Sequence, residues 1–133
     1  MMAGFSLRKI DKNLKVLKGH YTDQELEAIS THGMVVTIPP GKVLFEAGKP
    51  GNEMAVIVSG QAKVTAGGNL LATVEAGGVV GEGSVLTGAS RSATVTASST
   101  LLIAVLNREQ LIAALEQSED FRTRISAAMD RAA

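Results

Sequence analysis

Between Met34 and Leu106 the chain is a succession of short aliphatic and β-branched runs: MVVTI, KVLFEA, MAVIVS, QAKVTA, NLLATVEA, SATVTA and TLLIAVL. They are separated by PPG, GKPGN, SG, GG and AGG, so turns recur about every 8 to 12 residues, the spacing of an all-β sandwich or barrel. The period differs on either side. Before the strands, Leu7, Ile10, Leu14 and Leu17 fall at helical spacing opposite Arg8, Lys9, Asp11, Lys12 and Lys15, which predicts an amphipathic helix over residues 5–18. Thr22 then opens TDQELEAIS, where its hydroxyl can cap the third N–H and Glu25 can reach back. That capping box starts a short helix ending near Gly33. After the strands, Asn107 and Ser118 stand as N-caps before REQLIAALEQ and EDFRTRISAAMDRAA, and the second run places Phe121, Ile125 and Met129 on one face. The expected architecture is mainly β with flanking helices: an N-terminal helical segment over 1–33, a jelly-roll-like β-barrel over 34–106, and two C-terminal helices over 107–133.

Composition narrows what such a domain can do. With 133 residues the chain is one domain's worth. Thirteen basic residues balance thirteen acidic ones, so no global field favours nucleic acid or an anionic membrane, and any anion site is local. The absence of cysteine removes disulfides, thiolate metal sites and a cysteine nucleophile, and inclines the assignment towards the cytoplasm. No run of 18 apolar residues is present, and the N-terminus lacks a signal-peptide core, so a soluble protein without a membrane span is expected. One tyrosine, three phenylalanines and no tryptophan leave little for stacking single-stranded bases.

The stretch 77–97, GGVVGEGSVLTGASRSATVTA, holds the candidate chemistry. Its glycines let backbone N–H groups approach an anion, and Glu82 and Arg91 can set a carboxylate and a guanidinium around one small molecule. That pairing suits a sugar phosphate. The bland alternative is a surface salt bridge among hairpin turns, worth about 0 to 1 kcal/mol. Lys42, Lys49 and Lys63 read as solvated barrel charges. His20 and His32 precede the strands without acidic partners at ligand spacing, so they read as ordinary surface histidines and no metal or cofactor is expected. No nucleophile, base and orienter can be assembled, so the chain is not expected to be an enzyme.

Three pieces of the chain resemble the cyclic nucleotide-binding domain: Pro40-Gly41 leading into VLFEAG; Gly48, Gly51 and Asn52 followed by MAVIVSG; and GEGSVLTGASRSATV, which is similar to that family's phosphate-binding cassette. The resemblance covers roughly residues 22–131, and its most specific part is Gly81, Glu82, Arg91, Ala93, Thr94 and Val95 at the family's spacing. It implies a sensor for cyclic AMP, ahead of cyclic GMP. Arg91 would hold the cyclic phosphate through paired guanidinium donors. Glu82 would accept from the ribose 2′-hydroxyl and steady Arg91, Gly81 with the N–H groups of Gly83 and Ser84 would face the phosphate, and Ser92 would add a hydroxyl. Arg124, Met129 and Arg131 are candidate covers for the base on the terminal helix, whose movement would transmit occupancy.

The chain departs from the family pattern at several positions. Val80 stands where an aromatic is usual, Gly83 where Leu is common and Ser90 where Pro is favoured, while Lys49 and Ala55 replace an acidic and an aromatic residue in the scaffold, away from the inferred site. Gly83 costs its helix about 0.5 to 1 kcal/mol relative to Ala and removes a side chain that in the family relays cassette movement. A second reading is a nucleotide-independent interaction module, with the N-terminal or C-terminal helices as its face for a second copy or an effector protein. Direct nucleic-acid binding is not expected, since no helix-turn-helix follows the last helix within these residues.

Overall fold

The structure, a computed structural model, describes residues 9–132. Leu7 and Arg8 of the predicted first helix lie outside the described residues. Within them that helix is a 3-10 helix, Lys12–Leu17, not an α-helix. Asp11 caps it by accepting from the Asn13 N–H, and the Lys18 N–H closes it on the Lys15 carbonyl. A three-residue period suits the two side chains that must be buried, Leu14 and Leu17, which eclipse one another at i and i+3.

Helix α1, Asp23–His32, begins with the predicted capping box: Thr22 Oγ1 accepts from the Glu25 N–H, and Glu25 Oε1 accepts from the Thr22 N–H. Eight strands follow: β1 (Met34–Ile38), β2 (Val43–Phe45), β3 (Glu53–Ser59), β4 (Ala62–Ala66), β5 (Asn69–Val74), β6 (Val79–Val80), β7 (Thr94–Ala97) and β8 (Leu101–Asn107). The pattern of the chain does not predict the short strand β6, because a two-residue run carries no periodicity. Helix α2 (Glu82–Thr87) interrupts the strands, and α3 (Arg108–Gln117) and α4 (Glu119–Ala132) end the chain. Asn107 and Gln110 form a second capping box, and Ser118 Oγ accepts from the Phe121 N–H at 3.1 Å.

The strands make two antiparallel four-stranded sheets, ordered β1-β8-β3-β6 and β2-β7-β4-β5. The expected jelly-roll architecture is present, but the sheets are not closed into a barrel. No ladder among the described residues joins one sheet to the other, and two of the four edge strands, β2 and β6, are only three and two residues long. Strand β3 explains the layering. Met54, Val56 and Val58 face a core built with α1, α3 and α4, whereas Ala55 and Ile57 face the other sheet. Buried on both faces, β3 reads as a continuous apolar run and not as an alternation. Leu26, Ile29, Leu111, Phe121 and Ile125 fill the helical side, so the flanking helices pack on the β domain as one body of structure.

Candidate functional site

The cassette is held at both ends by backbone bonds to β3 and to the β2–β3 turn. Gly77 and Gly78 exchange bonds with Ile57 at 2.8 and 2.9 Å, which launches β6 alongside β3. Gly81 then turns the chain in the left-handed region, φ +86°, into α2, and a Cβ there would lie 2.7 Å from the Phe45 ring and 2.8 Å from Arg91 Nη1. Arg91 returns to the scaffold: its N–H donates to the Lys49 carbonyl at 2.9 Å, and its carbonyl accepts from the Gly48 N–H at 2.8 Å. Lys49 is therefore at the site through its backbone, not away from it. Thr94 Oγ1 adds an anchor by accepting from the Ala47 N–H at 3.0 Å.

Seven of the eight residues singled out from the sequence, Val80, Gly81, Glu82, Gly83, Ser84, Arg91 and Ser92, line one cavity of about 240 Å³. The eighth, Arg131, is exposed on the last turn of α4 and does not line it, although its positive charge bears on Glu82. Arg124 is drawn elsewhere, into an ion pair with Glu25, and Met129 is half-buried against the helical core. His20 is exposed, as read from the sequence. His32 is not an ordinary surface residue: it is half-buried and hydrogen-bonded to Gln117 Oε1 at 2.8 Å.

The two charged groups sit in different surroundings. Glu82 is 7% exposed, and its Oε1 has no hydrogen-bond partner among the described residues. Burial pushes its carboxyl up, against the lowering effect of its own backbone N–H and of the Arg131 and Arg91 charges. No ion pair or hydrogen bond joins Glu82 to Arg91 among the described residues, so Glu82 favours the charged arginine only through space and not by direct contact. The Arg91 guanidinium donates to two carbonyls instead, Gly81 O at 3.0 Å and Glu53 O at 2.6 Å. It also lies 3.8 Å from the centroid of the Phe45 ring. Burial lowers its pKa, an effect the Glu53 and Glu82 carboxylates oppose. Phe45 was missed as a site residue because nothing in VLFEAG signals a ring that meets a cation 46 positions later. Ala55, read as remote scaffold, shares with Phe45 the wall of a separate hollow of about 400 Å³ between the sheets.

Chemically, the cavity joins a buried carboxylate oxygen lacking a donor to a guanidinium whose remaining N–H groups have no protein acceptor among the described residues. Apart from the Phe45 ring, its other walls are small or aliphatic, among them Val64, Val74 and Val95. It is fitted to a ligand with a hydroxyl for one end and an anion for the other. No helix among the described residues is long and apolar enough to cross a membrane.

No curated protein matches the sequence. Solved structures match its fold. A structure of PKAR CBD2 bound to Sp-2Cl-cAMPS is 18% identical, with a TM-score of 0.71 over 94% of this chain and 85% of its own. The catabolite activator protein of Thermus thermophilus is 24% identical, with a TM-score of 0.74 over 87% of this chain and 56% of its own. The regulatory subunit of a cAMP-independent protein kinase A from Trypanosoma brucei is 22% identical, with a TM-score of 0.66 over 86% of this chain and 44% of its own. The chain thus spans about half the length of the last two. The family model of the cyclic nucleotide-binding domain matches residues 35–118, from β1 through the cassette to the end of α3, and the chain belongs to that family.

Proposed function

We propose that this domain is a cyclic nucleotide sensor that binds cyclic AMP in preference to cyclic GMP and passes occupancy to its terminal helix. The observation that carries the reading is the buried Glu82 Oε1 without a donor, in the same cavity as Arg91. A buried, unsatisfied carboxylate oxygen costs free energy that a ligand hydroxyl would restore, and a ribose 2′-hydroxyl is such a donor. Arg91 supplies the complementary charge for the cyclic phosphate, and Ser92 and the first N–H groups of α2 add donors beside it. At about 240 Å³ the cavity is smaller than the ~300 to 1,000 Å³ of pockets that enclose a whole ligand. It accommodates the sugar phosphate and leaves the base at the mouth, where α4 packs against α2 and Arg131 is available to cover it. The sequence Arg91-Ser92-Ala93 supports adenine, through its similarity to bacterial cyclic AMP receptors. The domain acts by binding in the cytoplasm and not by turnover, so the nucleotide should be recovered unchanged after long incubation.

Calorimetry of the wild type and Arg91→Ala with cyclic AMP and cyclic GMP tests this. The wild type should bind, cyclic AMP more tightly, and removal of the guanidinium should weaken binding by about thirtyfold or more. Negligible heats from the wild type with both nucleotides would sink the proposal. They would favour the second reading, an interaction module that needs no nucleotide, for which the fold shared with a kinase subunit described as cAMP-independent is the supporting observation.

A further inference from the structure

Arg91 lines two spaces at once: the cassette cavity, and a hollow over the β2–β3 turn beside Lys49, Pro50 and Asn52. A long side chain at such a boundary has two places to point, and what decides between them is a seat made by residues outside the cassette. The Phe45 ring lies under the guanidinium at 3.8 Å, in the range where a cation is held by an aromatic face. On another side is Gly51, so near that a Cβ added there would lie 2.4 Å from both Cζ and Nε of Arg91. Gly51 is not in the left-handed region, so its backbone would accept alanine. The requirement for glycine is the close approach of the arginine. The Glu53 and Gly81 carbonyls then fix the guanidinium within its plane.

We propose that Phe45 and Gly51 are positioning residues that seat the Arg91 guanidinium against the cassette cavity and so set the cavity's affinity for a cyclic phosphate monoanion. The ligand in this statement rests on the sensor reading above; the seat does not. A guanidinium locked before the anion arrives loses little freedom on binding, whereas one free to swing over the β2–β3 turn must be recaptured each time.

The test uses the full chain, labelled with nitrogen-15, and two readouts: the Arg91 Nε–H resonance without ligand, identified by its loss in Arg91→Lys, and calorimetric affinity for cyclic AMP. In the wild type the Phe45 ring current should displace that resonance from the position of a free arginine. Phe45→Leu and Gly51→Ala should return it towards the free position and weaken cyclic AMP about tenfold or more. Phe45→Tyr, which keeps the ring, should leave the resonance displaced and the affinity within about twofold. A wild-type resonance and affinity in either Phe45→Leu or Gly51→Ala overturns the seat. If Gly51→Ala does not fold, the contrast between Phe45→Leu and Phe45→Tyr decides on the same readouts. If the wild type binds no cyclic nucleotide, the sensor reading falls while the resonances still judge the seat.

Discussion

Arg124, on the terminal helix, grips Glu25, on the first α-helix, through both carboxylate oxygens: Nε to Oε2 at 2.6 Å and Nη2 to Oε1 at 3.0 Å, across 99 positions of chain. Glu25 is 1% exposed, so its charge is tolerated inside because this guanidinium neutralises it, with the Thr22 N–H as a further donor. The same arginine donates to the His20 carbonyl and lies 3.6 Å from the Tyr21 ring centroid, while the Tyr21 hydroxyl donates to the Gly77 carbonyl at 2.7 Å. The terminal helix, the N-terminal segment and the first residue of the cassette are thereby joined in one polar chain.

Arg124→Ala should therefore destabilise the fold far more than a surface arginine would. It strands the Glu25 carboxylate, for which about 3 kcal/mol is expected, the low end for a broken buried pair because the arginine is itself partly exposed. Urea unfolding measures it. Replacing both partners by leucine should recover part of the loss, since the stranded charge goes with the pair.

Tyr21 is the only tyrosine, and there is no tryptophan, so phenolate absorbance reports this one group. Burial is the main cause that pushes its hydroxyl up to about 12, with Arg124 opposing and Glu25 adding to the shift. The raised value means that its contribution to stability is whole below the ordinary value of 10.0 and is lost as pH rises from there towards 12. A spectrophotometric titration should show no phenolate at pH 10 in the folded protein, and ionisation together with unfolding above it. Half-ionisation at pH 10 in a folded sample would contradict the buried hydrogen bond to Gly77.

Glu82 sets stability against ligand binding. Its carboxyl is raised by burial, so its contribution to stability is largest below the usual carboxylate range and declines as pH rises through the raised value. Glu82→Gln should raise the urea midpoint at pH 7, change it little under acid, and weaken cyclic AMP about tenfold by replacing a charged acceptor with a neutral one. Loss of stability at pH 7 would mean that the buried carboxylate is better satisfied than its unpartnered Oε1 indicates.

Two glycines should respond in opposite directions. A Cβ at Gly60, φ +90°, would lie 2.2 Å from the Thr100 carbonyl oxygen, so Gly60→Ala meets both a strained backbone and a backbone collision. A loss of about 3 kcal/mol or more is expected. Gly83, inside α2, has nothing within 4 Å of its missing Cβ, and Gly83→Ala should gain about 0.5 to 1 kcal/mol by restricting the unfolded chain. Thermal unfolding of the two variants side by side checks both signs.

Local pattern was enough for the elements. The capping box at Thr22, the N-caps at Asn107 and Ser118 and seven of the eight strands follow from residues a few positions apart, because caps, turns and alternation are short-range physics. The spacing of Gly81, Glu82 and Arg91 likewise marked a cassette whose members line one cavity. Tertiary structure alone decided what those charges meet. Glu82 and Arg91 share one cavity and feel each other's charge, but make no direct bond among the described residues: the guanidinium found two carbonyls and the Phe45 ring, and the carboxylate Oε1 was left without a donor. Arg124 was legible as a base cover and instead neutralises Glu25. The sheet order, the open sheet edges and the place of β6 were decided in the same way. The reason is common to all of them. A charge goes where desolvation costs least and donors are best matched, and that depends on which distant segments the core packs beside it, a matter of shape that no window of sequence contains.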